Sequence, residues 1–161
     1  MDVTADLAAP CSVETLFGWV DALDRYPRWL DIVARAEPDS SDNAASDGAA
    51  NDGGPAWAVD LRGRLGPLAR TKRLRMVRTV HQPPHRARFE RVELDGRRHS
   101  AWVLQADVSA SPGASVLTMH LHYGGSLWGP VLERMLGDEI ERSRSRLLTC
   151  VSEEADPRHR G

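Results

Sequence analysis

The sequence predicts an α+β domain: one strand and two short helices, then a run of antiparallel strands and a long C-terminal helix. Three observations carry this expectation. Residues 56–123 alternate apolar and polar side chains in segments broken by turn residues, the period of half-buried strands. Beyond them Val131, Leu132, Leu136, Ile140, Leu147 and Val151 form an apolar stripe at helical spacing. Between the first strand and the others lie two short segments with helix start signals.

In chain order, Val3, Ala5 and Leu7 alternate with Asp2, Thr4 and Asp6 as one strand, which Pro10 stops. Ser12 is an N-cap, with Glu14 favourable in the first turn of a helix carrying Val13, Leu16, Phe17 and Val20. Asp24 caps a second short helix with Pro27 in its tolerated first turn and Tyr26, Trp29, Leu30 and Val33 as its apolar residues. Residues 39–54, DSSDNAASDGAANDGG, contain no branched or aromatic side chain and cannot offset their own ordering entropy, so they are expected to be a disordered acidic loop. Strands follow around Trp57–Leu61 and Leu74–Val80, then over 86–94, 97–110 and 115–123. Turns are expected at Gly66-Pro67, Pro83-Pro84, Asp95-Gly96 and 111–114. In the last helix, Asp138 and Arg142 stand at i,i+4 in the favourable order. Residues 153–161 read as a polar tail, leaving 1–152 as a single domain.

Composition narrows the class. The chain has 161 residues, enough for one domain with its own core. No apolar run approaches the roughly 18 residues of a membrane span. The first residues, MDVTADLAAP, lack the basic start of a signal peptide. Cys11 and Cys150 are too few for a disulfide framework or a zinc ribbon, so a cytoplasmic protein with reduced thiols is expected. The net charge of −2 conceals a basic stretch, Arg62–Arg98, with twelve Lys/Arg against three Asp/Glu. Those residues are spread over alternating strands without a recognition helix, which reads as a solvated face and not as a nucleic-acid site. His120 and His122 share a strand face but lack a third ligand nearby, so no metal and no cofactor are expected.

Four stretches carry a resemblance: AAPCSVETLFGWV (8–20), DRYPRWL (24–30), RFERVELDGRRHSAWVLQ (88–105) and HYGGSLWGPVLERML (122–136). With the order of elements, they resemble the polyketide cyclase/dehydrase and lipid-transport superfamily (START-like, SRPBCC). The resemblance implies the helix-grip fold, in which a curved sheet of about seven strands wraps the C-terminal helix and leaves a cavity between them.

Strand register then proposes what faces that cavity. A two-residue Asp95-Gly96 hairpin places Phe89 opposite Trp102, Arg91 opposite Ser100 and Glu93 opposite Arg98. A turn at 111–114 pairs Trp102 with Tyr123, Leu104 with Leu121 and Ala106 with Met119. A turn at 82–85 pairs Val80 with Ala87 and Arg78 with Phe89. The candidate ligand-contacting residues are the aromatic row Phe89, Trp102 and Tyr123, the apolar Leu104, Met119 and Leu121, and the inward charges Arg78, Arg91 and Glu93. Trp57 and, on the helix, Met135 complete them. The charges serve either as an anion anchor or as a structural ion network. No alcohol, thiol or histidine is poised as a nucleophile, so catalytic residues stay unassigned and enzymatic activity stays open. Three functions fit: a carrier or sensor of a hydrophobic or amphipathic small molecule, which is favoured; a polyketide cyclase or aromatase; or a protein-interaction module with a vestigial cavity. Transient membrane contact and a monomeric or homodimeric state are compatible with all three.

Overall fold

The computed structural model describes residues 1–40, 54–62, 71–125 and 129–155, with side chains of the last stretch from Glu133 onward. Seven strands form one antiparallel sheet: β1 (Asp2–Ala9), β2 (Val33–Pro38), β3 (Ala56–Arg62), β4 (Thr71–Gln82), β5 (Arg86–Arg91), β6 (Trp102–Ser111) and β7 (Ala114–Tyr123). Their order is β1-β7-β6-β5-β4-β3-β2, so each strand after β2 lies beside its predecessor and β1 closes the row against β7. Among the described residues, two helices, α1 (Val13–Phe17) and α2 (Gly129–Ala155), and a 3-10 helix (Leu23–Arg28) accompany the sheet. The sheet curls around α2, which packs on β1 and on the 3-10 helix. This is the helix-grip α+β architecture. The expected turn at Gly66-Pro67 and all but Asp39, Ser40 and Gly54 of the acidic loop lie outside the described residues.

Local chemistry accounts for the start of the chain. Ser12 caps α1 as expected, its hydroxyl accepting from the Thr15 amide at 3.1 Å. Tyr26 and Trp29 of the second segment are buried. The Tyr26 hydroxyl donates to the Val20 carbonyl at 2.9 Å, and the Trp29 indole donates to the Trp19 carbonyl at 3.2 Å. Those bonds satisfy the polar ends of two large aromatic groups inside the core. Burial pushes the Tyr26 phenol far above its ordinary range.

The structure corrects the sequence reading at several places. The second segment is a 3-10 helix that stops at Arg28, and Val33 opens β2 instead of continuing a helix. Pairing with β3 (Val33 with Leu61, Ala36 with Val59) outweighs the weak local helical signal. Asp24 makes no cap: it sits in the first turn of the 3-10 helix and accepts from the Trp57 indole at 2.9 Å. The segment β5–β6 is not a two-residue hairpin. Residues 92–101 form a wide loop, and Phe89 pairs with Leu104, two places from the expected Trp102. Finally, a bulge between Arg78 and Val80 leaves Arg78 opposite Phe89 but moves His81, not Val80, opposite Ala87. His81 there stacks on Phe17 at 5.9 Å. The β6–β7 pairing matches the expected register throughout, from Trp102–Tyr123 to Ser111–Ala114. α2 runs to Ala155, three residues into the expected polar tail.

The two-residue slip is instructive because it preserves side-chain faces. A shift of one residue would have turned the apolar set outward; a shift of two keeps it inward and changes only the neighbours. The 92–101 loop keeps a tight bend at Asp95-Gly96, where Gly96 takes φ +68° and the Asp95 carboxylate accepts from the Arg97 amide at 3.0 Å. Side chains of Arg91, Glu93, Asp95 and His99 bond to one another within this loop and compete with further ladder pairing.

The basic stretch meets carboxylates on the outer sheet surface. Arg73 grips Asp60 with two bonds of 2.7 and 3.0 Å, and Arg75 reaches Asp39 at 2.9 Å. Arg86 bonds Asp107. The Arg73 bonds hold the Asp60 carboxyl below its usual value; burial alone would raise Asp107, but bonds from Arg86 and Gln105 outweigh it.

Candidate ligand cavity

Between the sheet and α2 lies a partly open cavity of about 120 Å³. Its sheet wall is built by alternation: Leu74 and Met76 on β4, Trp102 and Leu104 on β6, Met119 and Leu121 on β7 project to the same side because each pair is two residues apart. The floor comes from the segment after the 3-10 helix, with Trp29, Leu30 and Ile32. The helix wall is Leu136, Glu139, Ile140 and Ser143, which recur at helical spacing on one face of α2.

Of the residues expected to contact a ligand, Trp102, Leu104, Met119 and Leu121 line this cavity. Tyr123 stands behind Trp102, with ring centroids 4.8 Å apart, and its ring lies over Gly125, where any Cβ would collide with the phenol. Phe89 is fully buried and packs edge-on against Tyr26 and Trp57 at 6.2 and 5.7 Å, outside the cavity lining. Trp57 is likewise buried outside it, tied to Asp24, and Met135 is half-buried outside it. The aromatic row is therefore divided: Trp102 faces the cavity, and Phe89 belongs to the core beneath the 3-10 helix.

The three inward charges lie outside the lining as well. Arg78 donates to the Asp21 carbonyl at 2.8 Å and stands 5.9 Å from the Trp57 ring centroid; burial lowers its pKa. Arg91 donates through Nε to Glu93 at 2.7 Å and through Nη1 to the Ser100 carbonyl at 3.4 Å. Its Nη2 lies 3.2 Å from His99 Nδ1. His99 Nε2 in turn reaches Asp95 at 2.8 Å, which assigns the ring proton to Nε2 and lets Nδ1 accept from Arg91. Glu93 also accepts from the Arg75 amide at 3.3 Å. This chain of bonds ties the 92–101 loop to β4. Lys72 stands beside it, 5.9 Å from the Trp102 ring centroid, its pKa lowered by burial and by the nearby Arg91 charge.

Sequence reasoning placed none of the other wall residues in the site, among them Trp29 after the 3-10 helix, Leu74 and Met76 on β4, and Leu136, Glu139 and Ile140 on α2. Glu139 was legible: Leu136, Ile140 and Ser143 flank it at helical spacing, so a carboxylate stands within the apolar stripe. Its neighbour Arg142 does not pair with the Asp138 side chain as expected; Nε donates to the Asp138 carbonyl at 3.2 Å, and Nη2 lies 4.0 Å from Glu139 Oε2.

A curved sheet gripping a C-terminal helix, with an apolar pocket between them, defines the class of helix-grip domains. Within it, the chain belongs to the polyketide cyclase/dehydrase and lipid transport family, whose model matches residues 1–150. Solved structures share the fold at low identity. A START superfamily protein from Mycobacterium smegmatis superimposes with a TM-score of 0.65 at 15% identity, covering 94% of this chain and 97% of that one. A protein from Nitrosomonas europaea gives 0.68 at 8% identity, covering 96% of each chain. The di-domain aromatase/cyclase StfQ of the steffimycin biosynthetic pathway gives 0.64 at 16% identity, covering 96% of this chain and 51% of that one. A search of curated proteins finds no match.

Proposed function

We propose that the protein holds a small hydrophobic or amphipathic molecule in the cavity between the sheet and α2, as a carrier or sensor. The observation that supports this reading is the apolar pocket itself, about 120 Å³ between Trp102, Leu104, Met119 and Leu121 on one side and Leu136 and Ile140 on the other. A cavity of about 150 Å³ holds a benzene molecule, so this one suits a ligand of single-ring size. The family's description as lipid transport and the START neighbour support the same reading. A polyketide cyclase is the second reading, favoured by the likeness to StfQ. Enolisation and dehydration call for both an acid and a base at the ligand. Among the described residues, Glu139 is the one ionisable group on the cavity wall, which favours carriage over catalysis.

We read residues 1–152 as one ligand-binding domain. Val92 and Leu94, exposed beside Arg97 and Arg98 in the 92–101 loop, support transient contact with an anionic membrane during loading. Among the described residues, no helix is long and apolar enough to cross a membrane.

The test is thermal unfolding with and without toluene, joined to native mass spectrometry of the purified protein. Ligand at about 100 times its Kd adds about 2.7 kcal/mol, a rise in Tm of roughly 5–10 °C for a chain of this length. No shift with toluene and no retained small molecule would overturn the proposal.

A further inference from the structure

The concave face of the sheet changes character at one end. Leu61 and Leu74 line the cavity, and Lys72 stands opposite Leu61 and two residues before Leu74, so its side chain leaves the same face one row further on. Its Nζ lies 5.9 Å from the ring centroid of Trp102, another wall residue. Three wall residues thus border one exposed amine. Among the described residues Lys72 makes no hydrogen bond and no salt bridge. The neighbouring cations differ: Arg73 is bonded to Asp60, Arg75 to Asp39 and Arg91 to Glu93. Resting on the reading that this cavity holds a ligand, we propose that Lys72 anchors the carboxylate of a small amphipathic acid whose apolar ring or chain fills the cavity. The acid lies head-out, its ring between the sheet and α2 and its carboxylate at the Lys72 ammonium.

The apolar wall sets the orientation. A carboxylate drawn in among Leu74, Trp102, Leu104 and Ile140 would lose its water without gaining a donor. At the rim it keeps part of its hydration and meets a cation. That cation is poorly compensated by its neighbours: partial desolvation, and then the nearby Arg91 charge, lower the Lys72 pKa. Glu93 opposes this, but its carboxylate already accepts from Arg91 Nε at 2.7 Å and from the Arg75 amide at 3.3 Å. A ligand carboxylate offsets the repulsion from Arg91. The cavity of about 120 Å³ takes one ring, so the acid is small. Packing of the lysine stem on the Trp102 face is the competing account, and it predicts no preference for an acid.

3-Phenylpropionate and 3-phenylpropanamide are matched probes, sharing ring and tether and differing in charge; toluene probes the cavity alone. Affinities are measured on the full chain and on Lys72→Met, which keeps the stem, and Lys72→Arg, which keeps the charge. In Lys72→Met the acid weakens about three- to tenfold, while the amide and toluene stay within about twofold. Lys72→Arg retains the acid within about threefold. Lys72 is the one lysine of the chain, so an amine-selective acetylating reagent reads it beside the N-terminus alone. Saturating 3-phenylpropionate slows acetylation of Lys72 by about threefold or more, as expected for an amine held in an ion pair, and the amide does not. Equal losses for acid and amide in Lys72→Met, or no protection of the amine by bound acid, would overturn the anchor, and toluene binding would leave the cavity reading standing. Failure of toluene and both phenylpropyl probes to bind the parent protein would remove the cavity reading and this inference together.

Discussion

Filling the cavity from the helix side separates a ligand chamber from an incidental packing gap. Ser143 is suited to this: it is buried, it lines the cavity, and its hydroxyl serves only the Ile140 carbonyl one turn earlier. Ser143→Leu replaces that hydroxyl with an isobutyl group directed at the void and improves helix propensity slightly. At roughly 24 cal/mol per Å³, a void of about 120 Å³ costs the empty protein up to about 3 kcal/mol. One leucine fills part of it, so the expected gain is about 1–2 kcal/mol. For a chain of this length that corresponds to a rise in Tm of roughly 2–8 °C. Calorimetry of parent and variant, each with and without toluene, reads both consequences. The variant should melt higher without ligand and lose its response to toluene. A variant that melts lower and still responds to toluene would refute the reasoning, since the side chain would then have strained the wall without occupying the chamber.

Three other outcomes are expected. Phe89→Ala, at a fully buried ring wedged between Tyr26 and Trp57, should lower stability by about 3–5 kcal/mol in chemical denaturation. Arg91→Met should cost about 1–3 kcal/mol by stranding Glu93, and Arg91→Met/Glu93→Gln should recover much of it; toluene affinity should be unchanged in both, because neither residue lines the cavity. The carboxyls of Asp60, Asp95 and Asp107 are held below their ordinary 3.8, and that of Glu90 below 4.5, so their stabilisation is complete above those values and lost as the pH falls through the lowered ones. Urea midpoints should therefore stay level from neutral pH down to about 5 and drop steadily below about 4.5; a midpoint that rises on acidification would contradict these assignments.

How far the sequence reached depended on how local each signal was. Ser12 as a cap, the alternation in β1 and the β6–β7 register from Trp102–Tyr123 onward were legible, because a cap or a tight turn involves residues a few places apart. The α2 stripe was legible for the same reason, and read with care it would also have shown Glu139 among apolar neighbours. β2 was not legible: Val33–Pro38 has no clear alternation and becomes a strand by pairing with β3, across the acidic loop. The β5–β6 pairing was misplaced because a local turn signal at Asp95-Gly96 was correct as a bend and wrong as a hairpin; bonds among Arg91, Glu93, His99 and Asp95 hold the loop open.

The amino-acid sequence by itself determined the elements, their order and the apolar side of each, since those follow from the periods of 2.0 and 3.6 and from turn chemistry along the chain. Only the tertiary structure decided which of the inward residues share a void. Phe89, Trp57 and Trp102 look alike as buried aromatics, yet of the three only Trp102 reaches the cavity, because Phe89 and Trp57 pack edge-on against each other, Phe89 also meets Tyr26, and Trp57 bonds Asp24 of the 3-10 helix. A void is a property of the gap between two surfaces, and its polar atoms become significant only when every neighbour that could have satisfied them is in place.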